Sequence, residues 1–152
     1  MVCCRFADGQ MSLIQNIVNS YYQVVEVIPA KACVRLNTVT GLAYNTKVML
    51  AQMKGVTINT TTNSSAFGDT LNLNNAGNYE INTVCYINGD SVFLVYSMLN
   101  NYTVSGQVQL VKIPQYISAT VTDTLRPLPW NPATGTGGIL AIIVEEDLIL
   151  NA

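Results

Sequence analysis

The sequence predicts an all-β fold, mainly antiparallel, built as a sandwich or small barrel. Three observations carry that reading. Apolar residues make up 49% of the 152 and charged residues only 11%, where ordinary soluble domains carry about 25% charged. Asn, Thr, Ser and Gln replace the missing charge, alongside many Val, Ile and Tyr. Short runs of period-two alternation recur between turn signals, and no alternation of strand with helix builds a parallel α/β domain.

Residues 1–20 read as an N-terminal arm or the remnant of a signal segment. Ala7 and Gly9 before Gln10 resemble a cleavage site, although no apolar stretch of sufficient length precedes them. From Met11, "MSLIQNIVNSYY" places Leu13, Ile14, Ile17 and Val18 at a helix-like spacing with Ser12 as a weak cap. A short helix and an extended arm fit it equally well.

A β domain is predicted over 21–123. Its strands fall near 21–28, 33–37, 46–53, 79–87, 91–98, 107–113 and 116–122. "YYQVVEVI" is β-branched and aromatic, and Pro29 ends it. "ACVRLNT" sets Val34 and Leu36 against Cys33, Arg35 and Asn37. "TKVMLAQM" sets Val48, Leu50 and Gln52 against Lys47, Met49 and Ala51. "YEINTVCYI" and "SVFLVYSML" flank a two-residue hairpin signal at Asn88-Gly89. Pro114 separates "GQVQLVKIP" from "QYISATVTD" and marks a bend or an edge. Between the predicted strands 46–53 and 79–87, Gly55–Gly77 is almost uncharged and dense in Asn, Thr and Ser, a long surface excursion with Phe67 as its apolar pin.

Residues 124–152 form a Pro/Gly corner and a C-terminal strand pair leading toward a further β region. "LRPLPWNPATGTGG" holds three of the five prolines and three of the ten glycines. Two apolar strands follow, "ILAIIV" and "LILNA", joined across Glu145-Glu146-Asp147. Strands so apolar and without alternation demand cover on both faces. An uncapped edge beside them is a template for another strand. Ile139, Leu140, Ile142, Leu148 and Leu150 are the predicted assembly edge.

The chemistry of most site classes is missing. With no His, neither a Ser–His–Asp triad nor a Cys–His dyad can form. Glu145, Glu146 and Asp147 are adjacent and alternate in direction along a strand, which suits a solvated turn. Nothing in the sequence pairs Glu26 with Glu80 as glycosidase carboxylates. "GTGG" lacks the lysine of a phosphate loop. No catalytic residue, cofactor site or metal ligand is predicted, and the chain reads as not an enzyme. A net charge of −2 without any basic run excludes a nucleic-acid footprint. No apolar run approaches the roughly 20 residues of a helical membrane span.

Two handles remain. Cys33 and Cys85 lie in predicted strands, either as buried thiols or as a disulfide in an exported protein; Cys3 and Cys4 have no such role. The aromatics Trp130, Tyr79, Tyr86, Tyr96, Tyr102 and Tyr116 would stack on sugar rings if they shared a face. Trp130, in a turn, is the candidate ligand-facing ring; its alternative is a plug for the β core.

Four phrases occur in order: "VMLAQMKG" (Val48 to Gly55), "NAGNYEINTV" (Asn75 to Val84), "GQVQLVKIPQY" (Gly106 to Tyr116) and "PWNPATGTGGILAI" (Pro129 to Ile142). Together they resemble a β-rich module near the N-terminus of very large surface proteins, secreted by the type IX system of gliding and related bacteria. In those proteins the corner leads into a longer glycine-rich β region, often with a "GFRGG"-like phrase that this chain does not contain. The resemblance implies an extracellular, non-catalytic module for adhesion or scaffold building at the cell surface. The partner is then a following β module or neighbouring subunit. Two alternatives are a filament subunit that assembles by strand addition and a carbohydrate-binding module for surface glycans.

Overall fold

The computed structural model describes residues 11–151. The chain is nearly all β. Its strands among the described residues are β1 (Ser12–Asn16), β2 (Ser20–Ile28), β3 (Cys33–Leu36), β4 (Lys47–Gln52), β5 (Thr57–Ile58), β6 (Thr70–Asn72), β7 (Tyr79–Asn88), β8 (Ser91–Leu94), β9 (Val108–Lys112), β10 (Gln115–Tyr116), β11 (Ala119–Leu125), β12 (Ile143–Val144) and β13 (Leu148–Leu150). Met11–Tyr22 is therefore extended, with β1 in the place where a helix fitted equally well.

Six strands close an antiparallel barrel in the order β2-β3-β8-β7-β4-β9. The two longest make closure possible, because each changes partner midway. Ser20–Gln23 of β2 pairs with β9, and Val24–Ile28 with β3. Tyr79–Thr83 of β7 pairs with β4, and the remainder from Val84 with β8. The register slips at both changeovers, between Val24 and Glu26 and between Val84 and Tyr86. Such bulges bend a strand and raise its twist, so one strand can serve two sides of a barrel. The alternating residues then meet inside: Val24, Val34, Leu36, Val48, Leu50, Val84, Val92 and Leu110 form one buried cluster.

The β7–β8 hairpin turns at Gly89-Asp90, with Asn88 still paired to Ser91. The turn thus lies one residue later than the Asn88-Gly89 signal indicated. Gly89 takes φ +61 and Asp90 is not in the left-handed region, which matches a turn with glycine at its first central position. The shift places the Asp90 carboxylate on Arg35 (Nη2 to Oδ2, 2.8 Å), and Arg35 also donates to Glu26 (2.9 Å).

That guanidinium holds the Asp90 carboxyl below its ordinary value. The pair therefore contributes stability above the usual carboxylate range, and the contribution is lost as pH falls through the lowered folded value. Asp90→Asn is expected to lower the melting temperature slightly at neutral pH, where the exposed pair contributes, and to give a shallower fall as the pH drops below about 4. Superimposable acid limbs for the two proteins would count against it.

Three expectations need correction. The strand from Ser91 ends at Leu94, not 98. There the Asn82 side chain takes over the ladder, accepting from the Tyr96 N–H (3.1 Å) and donating to its carbonyl (2.9 Å). The Glu80 carboxylate accepts from the Leu99 N–H at 2.8 Å, so the segment peels away from the sheet. The predicted strand 116–122 is broken at Ile117-Ser118 into β10 and β11. Phe67 is not a pin, being 59% exposed. The excursion carrying the β5–β6 hairpin is held by side-chain turns at Asn59, Ser64 and Asn72. At its base, buried Gln52 donates to the Lys54 and Asn74 carbonyls and accepts from the Thr103 N–H.

Candidate functional site: an open parallel edge

Outside the barrel the pairing changes sense. β1, β11 and β13 form a parallel sheet in that order, and β10 pairs in parallel with β12. This overturns the expected C-terminal strand pair: β12 and β13 do not pair with each other across Glu145–Asp147. The acidic residues instead form a corner between two sheets, stacked over the corner at Ile117-Ser118. Glu145 and Glu146 donate their N–H groups to the Tyr116 and Ile117 carbonyls (3.0 and 2.8 Å), and Ala119 donates to the Asp147 carbonyl (2.9 Å). The Ser118 hydroxyl bonds the Glu146 carboxylate at 3.2 Å.

The result is two L-shaped rungs, β10–corner–β11 and β12–corner–β13, with β1 beyond the first. The whole barrel lies in the connection between β1 and β10. Parallel pairing in register stacks partnered side chains into columns on one side of the sheet. Ile14, Val121 and Leu150 form one such column; Ser12, Ala119 and Leu148 form a second. Ile14, Ala119 and Val121 make a second buried core, with Tyr116, Ile142 and Val144 packed against it. Burial there pushes the Tyr116 hydroxyl above its ordinary value. The columns end abruptly. Val121 is 4% exposed, whereas Leu150 is 71% and Leu148 45% exposed.

The segment 126–142 runs back over the barrel and sets the rungs against it. Gln109 spans it with two bonds, Nε2 to the Gly137 carbonyl and the Gly137 N–H to Oε1, both 2.9 Å. Asn19 likewise holds Ala141 by its carbonyl (2.6 Å) and N–H (3.1 Å). Tyr21 donates to the Ile139 carbonyl at 2.6 Å and accepts from the Leu128 N–H at 3.2 Å.

The predicted assembly residues thus divide. Leu148 and Leu150 lie on the open edge, and Ile142 belongs to the second core. Ile139 and Leu140 sit on the clamped segment and not on that edge, because Tyr21 binds the Ile139 carbonyl and Asn19 binds the backbone of Ala141. Sequence reasoning missed the pairing of β1, and it missed Ser118, Asn19 and Gln109. Periodicity within any one segment carries no signal for them, since every partner is distant in the chain.

Cys33 and Cys85 are free thiols and not a disulfide. β8 lies between their strands, so two strand spacings of about 4.8 Å separate them, beyond the roughly 7 Å that a disulfide spans. Cys33 is 1% exposed, and burial pushes its thiol up. Cys85, in the β7 bulge, is half-buried. Cys85 is expected to react with a thiol reagent about tenfold faster than Cys33; equal rates would contradict this burial order.

The aromatics divide between the surface, where Tyr79 and Tyr96 are exposed, and the two cores. Tyr86 stacks on Phe93 with ring centroids 4.1 Å apart. Tyr102 packs against the barrel core and Tyr116 against the second core. Trp130 is half-buried against Gly138, beside the Asn131–Thr136 bridge. Glu26 is committed to Arg35 and Glu80 to Leu99 and Asn100. Among the described residues no group of three His, Cys, Asp or Glu could hold a metal, and no helix is long and apolar enough to cross a membrane.

No protein-family model matches the chain, and no curated protein matches it. Two solved structures are similar in part. One is the Gp54 tailspike of Acinetobacter baumannii bacteriophage AP22, in complex with A. baumannii capsular saccharide, at TM-score 0.42 and 10% identity over 73% of this chain. The second is the tailspike protein gp49 from Pseudomonas phage LKA1, at TM-score 0.39 and 11% identity over 95% of this chain. The chain spans 20% and 23% of the length of these two proteins.

Proposed function

We propose that the chain is a non-catalytic structural module of an extracellular bacterial surface protein, serving adhesion or scaffold building. Its C-terminal edge joins it to a following β structure. The observation that carries this reading is the exposure of Leu148 and Leu150 at the end of columns whose Ile14, Ala119 and Val121 are buried. Side chains of this size are worth about 1.5–3 kcal/mol each when fully covered. The resemblance to type IX-exported surface proteins supplies the setting. A filament of repeated copies would use the same edge.

The test is sedimentation velocity at two concentrations together with binding of a hydrophobic dye. The chain by itself is expected to self-associate or bind dye through the edge. The double variant Leu148→Lys, Leu150→Lys should abolish both while its melting temperature stays within about 2 °C, because exposed positions contribute little to folding. Behaviour that the two lysines leave unchanged would remove the edge as the joining surface.

Surface glycans are a second reading, carried by the half-exposed Trp130. It is the single tryptophan of the chain, so its fluorescence reports on that turn alone. A saturable change on titration with soluble oligosaccharides, absent in Trp130→Ala, would support this reading; a flat titration would end it.

A further inference from the structure

We infer that the open edge is a template for one particular occupant, a parallel rung that continues the stack and begins a β-solenoid. This rests on the structural role proposed above and specifies the partner. A free strand edge alone accepts a neighbour of either direction. Two features here choose between them.

The first is the columns. Ile14, Val121 and Leu150 stack because each strand enters in the same direction and register. A strand of either direction can set a side chain over Leu150. Purely parallel sheets are favoured over mixed ones, however, so the next strand takes the direction that β1, β11 and β13 share.

The second is the corner. Ile143 follows Gln115 by 28 residues and Leu148 follows Ala119 by 29. The extra residue is taken up where Glu145–Asp147 rides over Ile117-Ser118. Both limbs of one L therefore lie on both limbs of the other, and backbone bonds continue around the bend. Covering β12 and β13 together needs a segment with the same bend in the same place. That segment is a short strand, a corner of two or three residues, and a second strand with apolar or small residues over Leu148 and Leu150. Stacking of this kind gives a quasi-one-dimensional array in which each rung touches only its neighbours.

The experiment uses the full chain extended after Ala152. A Gly/Ser linker of about 12 residues, long enough to reach back to β12, carries a second copy of the segment Gln115–Leu125, itself a rung of this protein. NMR then reads hydrogen exchange and inter-strand contacts. Amide exchange at 148–150 should slow about tenfold or more. Contacts should run in parallel order, the copied Ala119 on Leu148 and the copied Val121 on Leu150. Placing Ala119→Lys and Val121→Lys in the copy alone should return exchange to its original rate.

Antiparallel contacts, an unbound tether, or slow exchange that survives the lysines would each overturn the inference. Should that happen while the Leu148→Lys, Leu150→Lys variant still abolishes self-association, the structural-module reading stands and only the solenoid falls.

Discussion

A chain ending at Gly138 is expected to lose roughly 3 kcal/mol of stability and to melt about 6–12 °C lower. The loss has identifiable sources. Ile142 and Val144 are partly buried against Ile14, Ala119 and Val121, and each gives up about half of a full side-chain burial, near 1 kcal/mol. Asn19, 7% exposed, loses both of its Ala141 partners, which leaves a buried amide short of hydrogen bonds at a cost of about 1 kcal/mol or more. The barrel itself keeps its six-strand closure, so the truncated chain should remain folded and rich in β structure. Calorimetry of the two proteins decides the matter. An unchanged melting temperature would mean that the rungs merely rest on the barrel.

Gln109→Leu is expected to cost about 2–6 kcal/mol, the larger effect for a single residue. Gln109 is on the outward side of β9, yet it is 0% exposed, because the segment around Gly137 covers it. Leucine would fill the space and leave the N–H and carbonyl of buried Gly137 unpaired, each at about 1–3 kcal/mol. Gly137 cannot compensate by moving closer or gaining a side chain. Its φ is +99, and a Cβ there would lie 2.5 Å from the Pro129 carbonyl oxygen. The variant should melt about 5–15 °C lower. It should also expose 126–142 to protease before the barrel unfolds, since this glutamine is a central tie between the two. Wild-type melting and proteolysis would show that Asn19 and Tyr21 suffice.

The strands of the barrel were legible from short stretches of sequence. In β4 the alternation of Val48 and Leu50 with Lys47 and Met49 states both the strand and its inward face, and β3 does the same with Val34 and Leu36. Period-two alternation needs only one buried face and one wet face, a condition that each barrel strand meets by itself. The hairpin at Gly89 was legible to within one residue, because glycine tolerates the positive φ of a tight turn.

The candidate site was not legible in the same way. β12 and β13 have two and three residues, too few to display a period. Apolar runs such as "ILAIIV" read as strands that pair with each other, whereas their partners are β10 and β11. β1 pairs with a strand more than a hundred residues away, and nothing local distinguishes it from a helix. Sequence by itself determined the composition, the alternation and the turns, hence an all-β, mainly antiparallel fold, sandwich or small barrel. Direction of pairing, the stacked corners and the unfinished columns were decided by tertiary structure, because a column exists only when residues as far apart as Ile14, Val121 and Leu150 are brought into one register.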